Sequence, residues 1–505
     1  MANYRGFIVN EAFDKAFDKE AIDAKVREGF PLQHRWHNDF HLEMPFGLVN
    51  DPNGLSWYAG KYHIFFQWNP LGVEHKHKCW GHVETADFVH YRLPELALWP
   101  SDVHDKDGCY SGAGFVEGDA LRLVYTCNRK DDGVRTPAQR LATWQPEKGI
   151  AQKDEIIIEH EPKGYTAHFR DPSRFCKGGR EFLVLGAQTT EEKGCAVLYE
   201  KKEGAWQLAG EIETELSDFG YMWECPTLLP LAEGDVLLFS PQGLGAEDYR
   251  WQNLYQSGYV AGKLDVDALK LQHGAFHELD RGFDFYAPQA FVHEGRAILF
   301  GWMGMPEREE EYPTREEGWL FSLTMPREVR LSDGRLFFAP LEEMKALRKG
   351  AAQKFGACRA EELGQDLAEK SEIEMELVFG DAQEVHVDLV YREAGEYVRL
   401  SYMRPTAVMT LDRMGMRLGG RGVRSFKLYT YHSLAMNIFI DRTAIEIFFQ
   451  NGEEVASFLV FPEEDVAPVF SVEADSPMEK VMGSIWDLDR LRYGELKSQK
   501  RKYRL

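Results

Sequence analysis

The chain has 505 residues, more than one hydrophobic core normally serves, so we expect at least two domains. Hydrophobic residues make up 44% of it and aromatic residues 13%, a composition typical of a packed globular protein and not of a disordered one. The formal net charge of −23 argues against a nucleic-acid partner and against an anionic membrane surface, because like charges repel.

The first residues, "MANYRGFIVNEAFDKAFDKEAIDAKV", lack the apolar run of a signal peptide, because acidic residues interrupt them throughout. Seven cysteines are scattered along the chain without a CxxC pair, so we expect neither a zinc site nor a disulfide framework. These features predict a cytoplasmic protein with reduced thiols.

The pattern of apolar residues predicts one helix followed by many strands. Residues 10–30 are predicted to form a helix, since apolar residues such as Phe13 and Phe17 recur near a 3.6-residue period. From about residue 45, short β-branched and aromatic runs such as "YHIFFQW", "LRLVYTC" and "DVLLFS" alternate with turn residues. This region is too long for one sandwich, and its clusters of strands suit propeller blades.

A short helix and linker is predicted at "PLEEMKALRKG", after which alternation resumes with an "FFQNGEEV" hairpin signal and predicts a β-sandwich. The predicted all-β chain is divided into an N-terminal helical extension (1–36), a propeller (37–340), a linker helix (341–352) and a β-sandwich (353–505).

Three carboxylates lie beside prolines in strand-edge turns: Asp51 in "NDPNG", Asp171 in "HFRDPSRF" and Glu224 in "MWECPTLL". One such motif alone is best explained as a turn, because proline presets φ and aspartate bonds its own backbone. Three together fit glycoside hydrolysis, which needs one carboxylate as nucleophile or base and another as the protonated acid.

The neighbours of two of these acids predict opposite ionisation states. Arg170 directly precedes Asp171, and a guanidinium within reach would lower the pKa of that carboxyl and keep it anionic. Trp223 and Cys225 flank Glu224, and such apolar company would favour its neutral, proton-donating form.

The order NDPNG, FRDP, WECP resembles glycoside hydrolase family 32, the β-fructofuranosidases. Further segments are similar to the family in the same order: "FFQWNP" (65–70), "WGHVETADFVHY" (80–91), "YSGAG" (110–114), "FDFYAPQAF" (283–291), "GWM" (301–303) and "GWLFSLTMPREV" (318–329). The resemblance covers nearly the whole chain after residue 40. It implies a five-bladed β-propeller followed by a C-terminal β-sandwich, and it implies a retaining mechanism without metal or cofactor.

Carried over position by position, the resemblance implies that Asp51 is the nucleophile, Glu224 the acid/base and Asp171 the transition-state stabiliser. It also implies a set of substrate-binding residues: Asn50, Gln67, His75, Tyr110, Ser111, Arg170 and Trp302.

The sequence departs from the family pattern at two places. The family turn usually begins Trp-Met-Asn-Asp, whereas this chain has Leu48 and Val49 before Asn50. His75 occupies the place where the family commonly has a tryptophan beside the fructose site, so another aromatic such as Trp68 is an alternative stacking partner.

Two loops carry clustered basic residues, "HKHK" (75–78) and "CNRKDDGVRTPAQR" (127–140). Each is interpreted either as a solvated loop or as a cationic rim that holds a sugar phosphate.

The implied function is hydrolysis of the β-fructofuranosyl bond of sucrose 6-phosphate or sucrose through a covalent fructosyl-enzyme. Alternatives are an exo-acting hydrolase of fructo-oligosaccharides or levan, a fructosyltransferase, and a non-catalytic carbohydrate-binding protein on the same scaffold. Retention of all three acids speaks against the last. The expected partner is a small-molecule sugar. The C-terminal sandwich is interpreted as a structural or dimerisation module, so a homodimer is compatible with the sequence.

Overall fold

The computed structural model describes residues 17–392 and 395–494 of the chain. The helix predicted over 10–30 is observed as α1, Lys19–Gly29, while residues 10–16 lie outside the described residues. This helix packs on the first β-sheet, where Lys19 Nζ donates to the carbonyl oxygen of Leu96 at 2.7 Å. Among the described helices, none has both the length and the apolar character needed to cross a membrane.

Five mainly antiparallel sheets, called blades 1 to 5 here, follow one another along the chain. Blade 1 contains β1 (Gly47–Tyr58), β2 (Lys61–Asn69), β3 (Cys79–Thr85), β4 (His90–Tyr91) and β5 (Glu95–Leu98). Blade 2 contains β6 (Cys109–Glu117), β7 (Ala120–Asp131), β8 (Val134–Gln145) and β9 (Ile150–Ile158). Blade 3 contains β10 (Tyr165–Lys177), β11 (Arg180–Thr189), β12 (Gly194–Lys202) and β13 (Ala205–Glu211).

The last two blades have the same plan with short extra strands. Blade 4 contains β14 (Met222–Pro230), β15 (Asp235–Gln242), β16 (Gly258–Asp265), β17 (Lys270–His273) and β18 (His277–Glu278). Blade 5 contains β19 (Tyr286–His293), β20 (Arg296–Met303), β22 (Ser322–Leu323), β23 (Arg327–Ser332) and β24 (Arg335–Pro340). Two 3₁₀-helices, Pro306–Arg308 and Pro313–Arg315, and strand β21 (Trp319–Leu320) lie between β20 and β22.

The first strand of each blade lies at the centre of the molecule. These strands contact each other in the order β1, β6, β10, β14, β19, and β19 contacts β1, so the ring is closed. Strand β21 then pairs in parallel with β1, Gly47 lying opposite Trp319, and joins the end of the ring to its beginning. Closure leaves few free sheet edges, and it confirms the predicted five-bladed propeller.

A ten-stranded sheet forms the C-terminal region. Its strands are β25 (Arg348–Asp366), β26 (Ser371–Val378), β27 (Glu384–Tyr391), β28 (Glu396–Met403), β29 (Val408–Asp412), β30 (Val423–Lys427), β31 (Ser433–Ile440), β32 (Ala444–Phe449), β33 (Glu454–Leu459) and β34 (Val469–Leu488). The two long strands β25 and β34 pair with each other and run through both layers, since β34 pairs first with β27 and then with β26.

The two layers enclose one apolar core, to which Ile373 and Val387 contribute from opposite layers. The predicted β-sandwich is thus confirmed as a single sheet folded over one core. The "FFQNGEEV" hairpin is also confirmed, with a 3₁₀ turn at Gln450–Gly452 between β32 and β33. A further 3₁₀-helix, Arg404–Thr406, follows β28.

The connection between the two regions is shorter than predicted. A 3₁₀-helix covers Glu342–Leu347 within the segment 341–352, and β25 already begins at Arg348. After the sandwich, β35 (Arg492–Tyr493) returns to pair in parallel with β4 of blade 1. The pattern of apolar residues did not predict this strand, because a strand of two residues is too short to show an alternation of apolar and polar side chains.

Buried ion pairs join the sandwich to the propeller. His41 lies between Asp441 (2.9 Å) and Glu446 (3.1 Å), and Glu446 also accepts from Arg327 of blade 5 at 2.7 Å. All these side chains are fully buried. Charges buried without solvent are tolerated only in specific pairings, so this network fixes how the two regions meet.

Candidate active site

The first strand of every blade carries a β-bulge near its start. The pairing with the second strand slips between Val49 and Pro52, Cys109 and Gly112, Arg170 and Ser173, Glu224 and Thr227, and Tyr286 and Gln289. A bulge redirects side chains and suits proline, which has no N–H for the ladder.

The bulges define one recurring triplet, whose last residue is proline in four blades and glycine in blade 2. The five triplets are Asn50-Asp51-Pro52, Tyr110-Ser111-Gly112, Arg170-Asp171-Pro172, Glu224-Cys225-Pro226 and Tyr286-Ala287-Pro288. The middle residues of the last three share a positive φ: 63° at Asp171, 49° at Cys225 and 46° at Ala287. Blades 3 to 5 therefore present these residues in the same way.

The middle residues of the first four triplets meet where the first strands of the blades form their ring. Ser111 Oγ donates to Asp51 Oδ2 at 2.5 Å, and Cys225 Sγ lies 3.7 Å from Asp51 and 3.8 Å from Asp171. Burial and the two carboxylates raise the pKa of the Cys225 thiol well above its usual range, so the thiol stays protonated and can donate to them. The structure thus brings Asp51 and Asp171 to one place from blades 1 and 3.

Asp51 is held by donors on both carboxylate oxygens. Asn50 Nδ2 donates to Oδ1 at 2.9 Å, and Ser111 holds Oδ2. The Asn50 amide also donates to Gln67 Oε1 at 3.0 Å, and Gln67 donates onward to the carbonyl of Cys109. Four of the predicted site residues, Asn50, Asp51, Gln67 and Ser111, therefore form one hydrogen-bonded group.

Asp171 is not held anionic by Arg170 as predicted. Burial raises the pKa of its carboxyl to about 7, with the Glu224 and Asp51 carboxylates acting in the same direction and Arg170 opposing them. The nearest Arg170 nitrogen is 3.8 Å from Asp171, beyond hydrogen-bond distance. The carboxylate accepts instead from the Cys225 backbone N–H at 3.0 Å.

Arg170 turns to the neighbouring blade and binds Glu224. Its Nη2 and Nε lie 2.6 and 3.2 Å from Glu224 Oε1, while Gln242 and Tyr286 donate to Oε2 at 2.7 and 2.5 Å. The prediction that apolar neighbours surround this carboxyl is wrong.

The physical reason is strand alternation, which puts sequence neighbours on opposite faces. Trp223 points away from Glu224 into the core between blades 3 and 4, against Phe239.

His75 and Lys78 of the first basic loop point into the site, whereas Lys76 and His77 are exposed. Lys78 Nζ donates to Asn50 Oδ1 and to His75 Nδ1, the latter at 2.8 Å. Burial lowers the pKa of Lys78 to about 8 even though the Asp51 carboxylate raises it. Neither interpretation made from the sequence, a solvated loop or a cationic rim, describes this loop fully, because two of its basic side chains are exposed and two point into the site.

Two tryptophans behave differently from their predicted roles as sugar-stacking walls. Trp302 is only 2% exposed and packs behind His75 and Tyr286, with ring centroids 5.4 and 6.3 Å away. Trp68 is completely buried and donates to the carbonyl of Phe46, since alternation along β2 points it away from Gln67.

An arginine side chain lies beside Tyr110, whose ring is half-buried at the site. The segment 127–140, predicted as a loop, forms the paired ends of β7 and β8, because both strands continue through it. The guanidinium of Arg135, on β8, lies over the Tyr110 ring at 5.7 Å. His168 accepts from Arg170 at 3.0 Å, and burial together with Arg170 and Arg135 lowers the pKa of its imidazole to about 4. Arg135 therefore adds a positive charge to this side of the site, next to the Arg170–Glu224 ion pair.

Sequence reasoning missed Tyr286, Gln242 and the inward position of Lys78. Tyr286 stood in the segment "FDFYAPQAF", and aligning the five triplets would have placed it with Glu224 at the first position. Gln242 and Lys78 carry no comparable sequence signal, because both reach the site from the ends of neighbouring strands.

The fold is a closed five-bladed propeller, and carboxylates from three of its blades meet in one site. These two features place the protein in the class of glycoside hydrolases that act through paired acids. The model of the glycosyl hydrolases family 32 N-terminal domain matches residues 41–340, and that of the family 32 C-terminal domain matches residues 343–482. The chain therefore belongs to glycosyl hydrolase family 32.

Similar proteins support this membership along most of the chain. It is 41% identical over 446 residues to the sucrose-6-phosphate hydrolase of Bacillus subtilis, and this match covers 85% of this chain and 89% of that protein. It is 39% identical over 465 residues to that of Klebsiella pneumoniae, covering 89% and 94%. The solved structure of sucrose-6-phosphate hydrolase from Lactobacillus gasseri superimposes with a TM-score of 0.84 at 28% identity, covering 95% and 98%.

Proposed function

We propose that this glycoside hydrolase cleaves the β-fructofuranosyl bond of sucrose 6-phosphate, and of sucrose as the unphosphorylated analogue. The observation that carries the proposal is the convergence of Asp51, Asp171 and Glu224 on one site, linked through Cys225 and Arg170. Two carboxylates with separate roles are what a retaining glycosidase requires.

The reaction proceeds in two displacements. A carboxylate oxygen of Asp51 attacks the anomeric carbon of the fructosyl group, and the bond to the leaving oxygen breaks as Glu224 protonates that oxygen. Water then attacks the fructosyl–Asp51 ester, and Glu224 takes a proton from it. The configuration is retained because the anomeric carbon is inverted twice.

Asp171 stabilises the oxocarbenium-like transition state by accepting hydrogen bonds from fructosyl hydroxyls. The donors on both oxygens of Asp51 keep the nucleophile oriented, and orientation of this kind contributes much of the rate enhancement in enzymes. The proposed contacts to the sugar come from Asn50, Gln67, His75, Tyr110, Ser111 and Arg170, with Trp302 supporting the wall behind His75.

The phosphorylated substrate is supported by two kinds of observation. Relatives that are 41% and 39% identical over most of their length bear the name sucrose-6-phosphate hydrolase. The site also carries the guanidinium of Arg135, over the Tyr110 ring, in a chain whose net charge is −23. Arg135 binds the 6-phosphate in this proposal, since its side chain contacts the Tyr110 ring instead of a carboxylate.

The remaining expectations stay proposals. The seven cysteines, all within the described residues, are free thiols, which supports a cytoplasmic location. We propose that residues 37–340 carry the catalysis and that the sandwich, 353–505, supports the propeller and, in a homodimer, contacts a second subunit.

The assignment is tested by steady-state kinetics with Asp51→Ala and Glu224→Gln on sucrose and sucrose 6-phosphate. Each substitution should lower kcat by about three orders of magnitude or more. With azide, Glu224→Ala should release a fructosyl azide of retained configuration, because azide replaces water on the fructosyl-enzyme, whereas any azide product of Asp51→Ala should be inverted. Near wild-type activity in either variant contradicts the assigned roles, and a higher kcat/KM for sucrose than for its 6-phosphate contradicts the substrate.

A further inference from the structure

Lys78 is the residue before β3, and its ammonium group lies inside the site. Its side chain is buried, with 6% of the residue exposed. Burying an ammonium costs several kcal/mol unless it is paired and hydrogen-bonded. A lysine at this position therefore indicates a specific role.

The ammonium donates to two acceptors from different segments. One is Asn50 Oδ1, on β1, and the other is His75 Nδ1 at 2.8 Å. On its other side, His75 Nε2 lies 2.8 Å from Glu309 Oε1. Because Lys78 only donates, Nδ1 must be the accepting nitrogen, and the neutral ring then carries its proton on Nε2.

The same argument fixes the amide of Asn50. A primary amide can in principle be turned over, exchanging its oxygen and its NH₂ group. The turned amide would place an NH₂ donor against the Lys78 ammonium, where two donors face each other. The oxygen must therefore face Lys78, and the NH₂ group must face Asp51 at 2.9 Å and Gln67 at 3.0 Å.

We propose that Lys78 is a positioning residue for the nucleophile: it locks the Asn50 amide so that its NH₂ group holds the Asp51 carboxylate. This inference rests on the proposed nucleophilic role of Asp51. Without Lys78 the amide can turn its oxygen toward Asp51, which removes one donor and repels the carboxylate. His75, from the loop before β3, accepts from the ammonium, and Glu309, from the loop that follows β20, lies beside the far side of the His75 ring.

The test is a double-mutant cycle on kcat with Lys78→Met, Asn50→Ala and the double variant. Lys78→Met alone should lower kcat by about 10- to 100-fold on both sucrose and sucrose 6-phosphate, with little change in KM. If Lys78 acts through Asn50, adding Lys78→Met to Asn50→Ala should lower kcat by less than about twofold. Lys61→Met, on the outer part of β2 and paired with Glu84, is the matched control and should keep wild-type kcat.

Two results overturn the inference. Additive losses in the cycle mean that Lys78 does not act through Asn50, and a loss confined to sucrose 6-phosphate means that Lys78 binds the phosphate instead. If Lys78→Met does not yield folded protein, Lys78→Gln replaces it in the same cycle, and additive losses with Asn50→Ala again overturn the inference. Asp51→Asn separates the two proposals: activity in that variant refutes the nucleophile, whereas its inactivity together with an additive cycle refutes only the role of Lys78.

Discussion

The guanidinium of Arg170 binds the carboxylate of Glu224, with Nη2 2.6 Å and Nε 3.2 Å from the same oxygen. Arg170 and Glu224 occupy the first position of the bulge triplets in blades 3 and 4, so the contact crosses between neighbouring blades. Asp171, the chain neighbour of Arg170, occupies the second position and faces the axis. The cation of blade 3 therefore positions the acid of blade 4.

Replacing Arg170 by lysine should weaken the positioning of Glu224. Lysine offers one nitrogen where the guanidinium places two on Oε1, so kcat/KM should fall by about 10- to 100-fold in steady-state assays. Arg174→Lys is the matched control, because Arg174 makes a similar two-nitrogen contact to Glu181 on the same strand but outside the site. Equal effects of the two substitutions would contradict a specific role of Arg170.

Asp171→Asn should make the protein more stable at pH 8 while removing most of its activity. The folded-state pKa of about 7 lies above the ordinary value of an aspartate, so the wild-type protein loses stability as pH rises from about 4 through 7. Denaturant unfolding of both proteins at pH 5 and pH 8 measures the effect, and the gain should be larger at pH 8.

Asp475→Asn provides a control of opposite sign. Backbone N–H donors from Glu384 and Gln383 lower the pKa of Asp475, so its charge stabilises the fold and its removal should lower stability at pH 8. If Asp171→Asn instead lowers the free energy of unfolding at pH 8, the ionised Asp171 carboxylate does not destabilise the wild-type fold.

Arg135→Gln should reduce selectivity for the phosphorylated substrate. A charge-assisted contact to phosphate contributes about 1.5–3 kcal/mol, so kcat/KM for sucrose 6-phosphate should fall by about 10- to 100-fold while that for sucrose stays within about twofold. Arg129→Gln is the control, because Arg129, on the neighbouring strand β7, is paired with Asp131. Parallel losses on both substrates would assign Arg135 to the fold and not to the phosphate.

His41 should make the propeller–sandwich interface sensitive to alkaline pH. Burial opposes its charge, but Asp441 and Glu446 raise its pKa to about 9. The stability from this raised pKa is complete below about pH 6.5 and is lost as pH rises through 9.

His41→Gln should therefore lower the free energy of unfolding by about 3–5 kcal/mol at pH 7, since it leaves two buried carboxylates short of a cation. At pH 9.5 the difference in free energy of unfolding between the wild-type protein and His41→Gln should be smaller. His90→Gln, which removes an exposed histidine beside Asp87, should change stability by less than about 1 kcal/mol. If the loss of stability in His41→Gln is the same at pH 7 and pH 9.5, His41 is not charged in the folded protein at pH 7.

The sequence by itself determined the elements and most of the site. Alternating apolar residues and turn signals predicted strands, and the family resemblance predicted how many blades they form. Asp51, Asp171 and Glu224 were identifiable because each precedes a proline at a strand edge. Asn50, Gln67 and Ser111, which hold Asp51 in the structure, were implied as substrate-binding residues by the family resemblance.

Only the tertiary structure decided which side chains face each other. The sequence places Arg170 beside Asp171 and Trp223 beside Glu224, but alternation and the bulges separate these neighbours onto different faces. Within blade 1, the pairing of its strands brings Lys78 to Asn50. Closure of the ring then brings residues of adjacent blades together, so Arg170 and Tyr286 meet Glu224. These contacts depend on the angle between blades, which is set by packing across the whole propeller and is not encoded in any one local segment.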